Sequence, residues 1–559
     1  MRLKNILLIA GVGAMSATSL VGCGKKTKQD EYDSKGRLKI TMRNLYFDDY
    51  QGGDYYIRHI QDTYGVNIKF QPYSWNNWST QVTGQVNGGN LPDTFHADIN
   101  SYNFAHSYKF WAQEHIIKPL PEDMSQWPNI QAMLENISNI DALKLNGRLY
   151  GLPIAKKTTS YEQTFSPFTY IYRRDWAKDW GVYQANDEYT WDQFMNLLTV
   201  FSQHLPASQK KYALGDVEWG FPSVTNFYKQ VPHCFAFDET KGDHGKYINN
   251  YTTDAYKEGM KKAKSLMSSG IHLKSQNEKN DGDTNKDYYS NRLGVFYENL
   301  SYENYIKLKR NLLVTNASNT SFDINDAMAI MKVRSPIEYG NQYCLEGTDN
   351  WFSMTFFDNQ ISKKKQEKIL DILDWLLSEE GTMYAIFGEE DYDYEYYEEW
   401  DDEAGAMVTK FHLIESNWPK DEKGNYARKD NGAKYLRYLV SLGYDTLADD
   451  PLTDKDAVAA LQNWEQEMLD AYVPDNPATP DVNEYETESQ LRILKENAEV
   501  MWLTTEKKSS YSGQLRESAL ETVMSYVYGD ISDSSYSSSF NNDYWRDVLA
   551  EINRKLGYN

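Results

Sequence analysis

Residues 37–97 switch repeatedly between two kinds of periodicity, and this switching constrains the fold more than any other feature of the chain. Leu38-Lys39-Ile40-Thr41-Met42 alternates apolar and polar residues, as a strand with one buried face does. Tyr55 to Tyr64 carries apolar residues at helical spacing and stops at Gly65. Val66 to Phe70 alternates again. A second helical stretch covers about 77–86 and ends at Gly88-Gly89; Thr94 to Ala97 then forms a third strand after Leu91-Pro92-Asp93. This β-α-β-α-β order predicts a parallel sheet with helices packed on it, and hence an α/β fold.

In such sheets ligands sit beyond the carboxyl ends of the strands. The loops expected there span 44–50, 72–78 and 98–104. They carry Asn44, Tyr46, Asp48, Asp49, Tyr73, Trp75, Trp78, Asp98, Asn100, Tyr102 and Asn103. Aromatics interleaved with amides and carboxylates suit a polyhydroxylated ligand: rings stack on its C–H faces while acceptors and donors meet its hydroxyls. Packing is the competing duty for each of these residues. The composition leans the same way, since 44 Tyr and 15 Trp stand against 21 Phe. Tyr and Trp pair an apolar face with a hydrogen-bonding edge.

The chain has 559 residues, enough for two to four domains at about 100–200 residues each. Its net charge of −23 disfavours nucleic acid and other polyanions, which it would repel. The amino terminus reads as an export signal: a basic start, an apolar run from Ile6 to Met15, then small residues up to Leu20-Val21-Gly22-Cys23. The apolar run is too short to span a bilayer. Loss of residues 1–22 removes Arg2 and Lys4 and takes the net charge to −25. Residues 24–36 are polar and read as a tether. Cys234 and Cys344 remain, as a disulfide or as two buried thiols.

Several segments resemble the extracellular solute-binding proteins of ABC importers, family 1 type, in their sugar-binding branch. They are Leu91-Pro92-Asp93, Ile116-Ile117-Lys118-Pro119-Leu120, Asn146 to Pro153 (Asn-Gly-Arg-Leu-Tyr-Gly-Leu-Pro), Tyr172-Arg173-Arg174-Asp175-Trp176, and Tyr189-Thr190-Trp191-Asp192-Gln193-Phe194. Asp374 to Gly381, Gly388-Glu389-Glu390 with Tyr394-Glu395, and the terminal Trp545 and Leu556-Gly557-Tyr558 follow in the family's order. Leu20 to Cys23 resembles the bacterial lipobox, which implies cleavage before Cys23 and a lipid on its thiol.

The resemblance implies two lobes, each a mainly parallel sheet flanked by helices, with the ligand cleft between them. It divides the chain into a signal peptide (1–22), a lipidated tether (23–36), a first lobe (37–163 plus 345–395) and a second lobe (164–344 plus 396–559). It implies a monomer on the outer face of the cell membrane, anchored through Cys23. That monomer would close on an oligosaccharide and deliver it to ABC permease subunits; the acidic charge balance favours a neutral glycan over an acidic one. The site expected from the loops and from the second lobe comprises Tyr46, Trp75, Trp78, Asp98, Asn100, Tyr102, Trp219, Tyr297, Glu298, Tyr339 and Trp351. Two features depart from the family. The oxygen-rich loop that many longer members carry after the Thr-Trp-Asp helix reads His204 to Lys211 here, and Asp391 replaces a glycine after Glu390.

Other constellations carry less. Asp281, Asp283, Asn285 and Asp287 have calcium-loop spacing, but Lys286 and Arg292 occupy the places of the glycine and the glutamate, so a solvated linker is expected. Residues 389–403 hold ten acids and no Lys or Arg, and read as a solvated loop anchored by its aromatics. No zinc spacing, nucleophile elbow or Walker loop occurs, so no cofactor, metal or catalytic group is expected. The alternatives are a secreted glycoside hydrolase and a surface glycan-binding lipoprotein without transport. Ile369, Leu370, Leu373, Leu376 and Leu377 form one helical stripe expected in the core.

Overall fold

The structure, a computed structural model, describes residues 31–47, 50–73, 77–98, 102–137, 140–156, 168–215, 235–238, 241–242, 245–269, 271, 281–300, 302–339, 341, 343, 350–401, 405–418, 431–442, 455–472, 504–505, 510–511, 519, 522–523, 525–526 and 531–558. Cys23, Trp75, Asn100, Trp219, Cys234 and Cys344 lie outside the described residues.

The strands, numbered along the chain, are β1 (Leu38–Asn44), β2 (Val66–Pro72), β3 (Thr94–Ala97), β4 (Gly151–Ala155), β5 (Phe168–Arg173), β6 (Glu188–Tyr189) and β7 (Tyr212–Leu214). They continue with β8 (Phe235–Asp238), β9 (Lys246–Asn249), β10 (Leu293–Asn299), β11 (Met328–Val333), β12 (Trp351–Phe357), β13 (Tyr394–Asp401) and β14 (Ala406–Leu413). Two five-stranded sheets result, ordered β2-β1-β3-β12-β4 and β6-β11-β5-β10-β7. In the first, β1 runs parallel to β2 and β3, and β12 runs antiparallel to β3 and β4. In the second, β5 runs antiparallel to β10 and β11, which are parallel to β7 and β6.

Each sheet therefore has a single reversed strand, and in each it is the strand by which the chain arrives from the other sheet. β5 follows β4, and β12 follows β11. A strand entering from the carboxyl-end side must run away from it, against strands that begin at the opposite end. The helices between parallel strands cover the sheets. The helix Tyr55–Tyr64 starts where the Asp54 side chain accepts the Ile57 N–H and stops where Gly65 takes a left-handed φ of 64°. On β1, Leu38, Ile40 and Met42 are buried and Lys39 is exposed, which is the alternation read from the sequence.

Two separate cores follow. The first sheet packs Ile40, Ile57, Ile369, Leu370, Leu373 and Leu376 together, and Leu377 lies partly buried beside them. The second packs Tyr170, Leu197, Leu198, Val295 and Met331. Residues 431–442 join the first core: Ala433, Leu436, Leu439 and Val440 pack against it, although the sequence division at residue 395 put them with the second lobe. Residues 281–289 form a helix, so the spacing of Asp281 to Asp287 builds neither a calcium loop nor a linker. The acidic stretch expected as a loop contains β13, paired with β14 in a ribbon of eight-residue strands. Among the described residues, no helix is long and apolar enough to cross a membrane.

Candidate functional site

The carboxyl ends of β1, β3 and β4 lie on the same side of the first sheet as the start of β12. Three chain segments run together there. Ala155 N–H donates to Val440 C=O (2.9 Å), Leu442 N–H donates to Ala155 C=O (2.9 Å), and Lys156 N–H donates to Asn350 C=O (2.8 Å). Asn44 at the end of β1 joins them, its side-chain amide donating to Tyr438 C=O at 3.3 Å. Two of these segments connect the sheets through 155–168 and 333–351. The third, 440–442, carries the chain out of the first core towards residue 455. Where chain connections join two sheets, a few element-terminal residues can absorb a φ/ψ change while the sheets stay rigid.

The motifs that resemble the solute-binding family hold the framework around this end. Asp93, 8% exposed, accepts the Thr41 N–H (2.7 Å), the Thr41 hydroxyl (2.9 Å) and the Lys365 ammonium (2.9 Å). It ties β1 and β3 to the helix Lys363–Leu377. Asp374 accepts the N–H groups of Asn129 and Ile130 at 2.9 Å each and so caps the helix Pro128–Glu135. Thr190 and Gln193 form a reciprocal capping box at the start of the helix Trp191–His204. A Cβ on Gly151 would come within 2.9 Å of Thr355 C=O, and one on Gly381 would clash with Trp375 C=O. These segments therefore carry capping and close packing; ligand contact has to come from other residues.

The expected site residues separate into three groups. Trp351 at the start of β12 is 0% exposed and Trp78 6%; both belong to the apolar cluster that contains Leu45, Tyr73, Phe95 and Met354. In this conformation Trp351 offers no face to a ligand, because its indole fills the layer between β12 and the neighbouring helices. Asp98, directly after β3, is 8% exposed. Tyr297 and Glu298 on β10 are half-buried, and the Tyr297 ring meets that of Tyr170 edge-on at 5.3 Å. Tyr46, Tyr102 and Tyr339 sit in the turn Leu45–Phe47, at the head of the helix Tyr102–Gln113, and in the turn Ile337–Tyr339. Trp75, Asn100 and Trp219 lie outside the described residues. Trp78 and Trp351 thus share one apolar cluster beside the first sheet, while Tyr297 and Glu298 are neighbours on β10 of the second.

Two features at this end have no sequence signal. His96 on β3 is fully buried, and its Nε2 meets the Ser353 hydroxyl of β12. Burial holds its pKa at about 3, far below the ordinary value, so the ring is neutral. Ser353 has a left-handed φ of 56° within the strand, at the register shift between Trp351 and Met354. This bulge re-aims the first residues of β12. On the second sheet, Arg334 at the end of β11 donates to Glu188 at 2.7 Å and lies 4.5 Å over the Tyr343 ring. A cavity of about 800 Å³ runs along β11 beside them, lined also by Arg174, Lys332 and Trp464. Within it Arg174 pairs with Asp187 at 2.9 Å, and Lys332 pairs with Glu467. Among the described residues no cluster could hold a metal ion.

No family model matches the chain, and no curated protein matches it. Solved structures do. The alginate-binding protein AlgQ2 without calcium ion is 14% identical, with 92% of this chain and 97% of that chain covered and a TM-score of 0.59. The S. pneumoniae ABC-transporter substrate binding protein FusA in complex with kestose is 14% identical, with coverages of 93% and 99% and a TM-score of 0.53. An extracellular solute-binding protein from Bifidobacterium longum subsp. infantis is 15% identical, with coverages of 93% and 96% and a TM-score of 0.51. At these identities the likeness establishes the fold: a two-lobed, periplasmic-binding-protein-like α/β chain, similar over nearly its whole length to each of the three.

Proposed function

We propose that this chain is an extracellular solute-binding protein of the family 1 type, which captures an oligosaccharide between its lobes and delivers it to an ABC importer. The observation that carries this reading is the triple crossing at Ala155, Asn350 and Val440–Leu442, which joins two separate α/β cores at the carboxyl ends of the first sheet. Such a joint favours opening and closing over fixed catalysis. A ligand that touches both lobes stabilises the closed arrangement by its differential affinity for it. The similar proteins named for ligands, alginate-binding AlgQ2 and FusA with kestose, both take glycans.

The first lobe comprises 31–156 and 350–442, and the second 168–339 and 455–558. Asp98, Tyr102, Trp75 and Asn100 would meet the ligand from the first lobe, and Trp219, Tyr297, Glu298 and Tyr339 from the second. Trp78 and Trp351 would support them from behind. The net charge of −23 favours a neutral glycan over an acidic one. A lipid on Cys23 and the tether that follows would hold the monomer on the outer face of the membrane.

The test is calorimetry of the chain from Gly24 onward against a panel of neutral and acidic oligosaccharides. Saturable binding of a neutral glycan without turnover is expected. Silence across the panel, or release of shorter products from a bound glycan, would overturn the reading. If Tyr297 stacks on the ligand, Tyr297→Ala weakens binding by about 1–3 kcal/mol, measured at a temperature where the variant is fully folded.

A further inference from the structure

β13 and β14 form a ribbon outside both main sheets, with strands of eight residues, or about 27 Å at the usual rise per residue. A free-standing two-stranded ribbon is marginal in water, so its root must hold it. That root is well built. Tyr394 and Leu413 are buried with Met383, Ile386, Phe387 and Trp418. Asp393, wholly buried, accepts the Tyr56 hydroxyl and the Glu389 N–H at 2.8 Å each, and its carbonyl accepts the Trp418 indole N–H at 2.7 Å. Tyr56 lies in the first turn of the helix that follows the carboxyl end of β1. The ribbon therefore rises from the same end of the first lobe as the crossing segments.

Its outer half is a different surface. The register places Tyr396 opposite Phe411 and Trp400 opposite Met407. These residues share one face, where Tyr396 is 45% exposed, Trp400 57% and Met407 53%. Charge at strand edges alone would be explained by protection against edge pairing. It does not explain three exposed apolar side chains, Tyr396, Trp400 and Met407, flanking the Glu398–Thr409 pair on that face, since aromatic and Met side chains are enriched at interface cores. The surrounding charge is predominantly negative: residues 389–403 hold ten Asp and Glu and no Lys or Arg, against Lys410 and His412 on β14. A second copy of the ribbon would be repelled, and so would an anionic bilayer. The complement is a basic protein surface with an apolar centre.

We infer that the β13–β14 ribbon is a docking arm, and that it engages a basic extracellular surface of the membrane subunits that receive the ligand. This rests on the transport reading, because a receiving partner must meet the end of the molecule from which the ligand leaves. The acids steer the encounter, while Tyr396, Trp400 and Met407 form the apolar centre of the contact.

The experiment uses the full-length lipoprotein in its own cells, with surface amounts matched by immunoblot. Two variants are compared with the parent, one combining Glu395→Lys, Glu398→Lys and Glu399→Lys, the other combining Trp400→Ala with Met407→Ala. Uptake of the bound glycan is expected to fall on the order of tenfold in both, while glycan affinity stays within about twofold. Unchanged uptake overturns the docking arm. Weakened glycan affinity also overturns it, because it assigns the ribbon to the ligand rim. A photo-crosslinking residue at Tyr396 provides an arm that needs no glycan: an adduct identified as a permease subunit is expected, and an adduct with a second copy of this chain, or none, counts against the proposal. A chain that binds no glycan defeats the transport reading itself and is distinguished by calorimetry alone.

Discussion

The two lobes solve the same topological problem with different chemistry. Each builds five strands with one reversed member, and each reversed strand is the one that enters from the other lobe. The first lobe then locks its sheet to a helix with buried charge, through Asp93 with Lys365, and ties β3 to β12 with an imidazole, through His96 with Ser353. The second combines the buried Arg173, paired with Asp175, with tyrosine hydroxyls. Tyr172 donates to Asp187 at 2.5 Å, and Tyr288 donates to Tyr172 C=O at 3.2 Å. Burial raises the pKa of both phenols, so they stay neutral and donate across the physiological range. The lesson is that topology sets where a clamp is needed, while the side-chain chemistry of the clamp is free to differ.

That difference can be broken most sharply at Lys365. Both members of its pair with Asp93 are nearly buried, with side chains 9% and 11% exposed. Lys365→Met leaves an uncompensated buried carboxylate and should cost about 3–5 kcal/mol in urea unfolding of the first lobe. A loss below about 1 kcal/mol would mean that the clamp does not hold the sheet.

Acid should separate the lobes next. His96 has a folded pKa of about 3, below its value of about 6.5 in the unfolded chain. The unfolded state therefore binds the proton first as pH falls. The contribution of neutral His96 is whole above about pH 6.5, declines by about 1.4 kcal/mol per pH unit below it, and is lost near pH 3. Denaturation midpoints between about pH 7 and pH 4 should be flatter in His96→Gln than in the parent chain. Parallel curves would exclude His96 as a source of acid sensitivity. Among the described residues the second core holds no buried histidine.

A smaller effect is expected at Tyr172→Phe, about 1–2 kcal/mol, because Asp187 keeps its Arg174 partner at 2.9 Å after the hydroxyl is lost. The smallest is Thr190→Ala, which removes one half of the capping box and should cost about 1 kcal/mol. If thermal scans rank Thr190→Ala above Lys365→Met, the buried Asp93–Lys365 pair is not the stronger clamp.

Much of the first lobe was legible as periodicity. Strands β1 to β3, the intervening helices and the Ile369 to Leu376 stripe follow from local alternation, because side-chain burial on one face repeats at a fixed spacing. The ribbon was misread as a solvated loop, because residues 389–403 are dominated by acids that strands usually avoid. Cross-strand pairing with the apolar residues of β14 overrides that local preference. The candidate site was legible only in part. The carboxyl-end rule located the loops, yet Trp351 and Trp78, chosen for their chemistry, are in the core. An indole serves a ligand or a core equally well, and burial alone distinguishes the two uses.

The sequence by itself determined the fold class, the order of strands and helices over residues 37–97, the acidic balance and the absence of zinc, Walker and nucleophile-elbow spacings. Each of these is local or additive along the chain. The tertiary structure alone decided that residues 431–442 return to the first lobe, that Ser353 turns left-handed to seat β12 beside His96, and that Asp93 finds Lys365. Those contacts join residues hundreds of positions apart. Nothing in either partner's neighbourhood specifies the other until the two sheets have formed and brought them within reach.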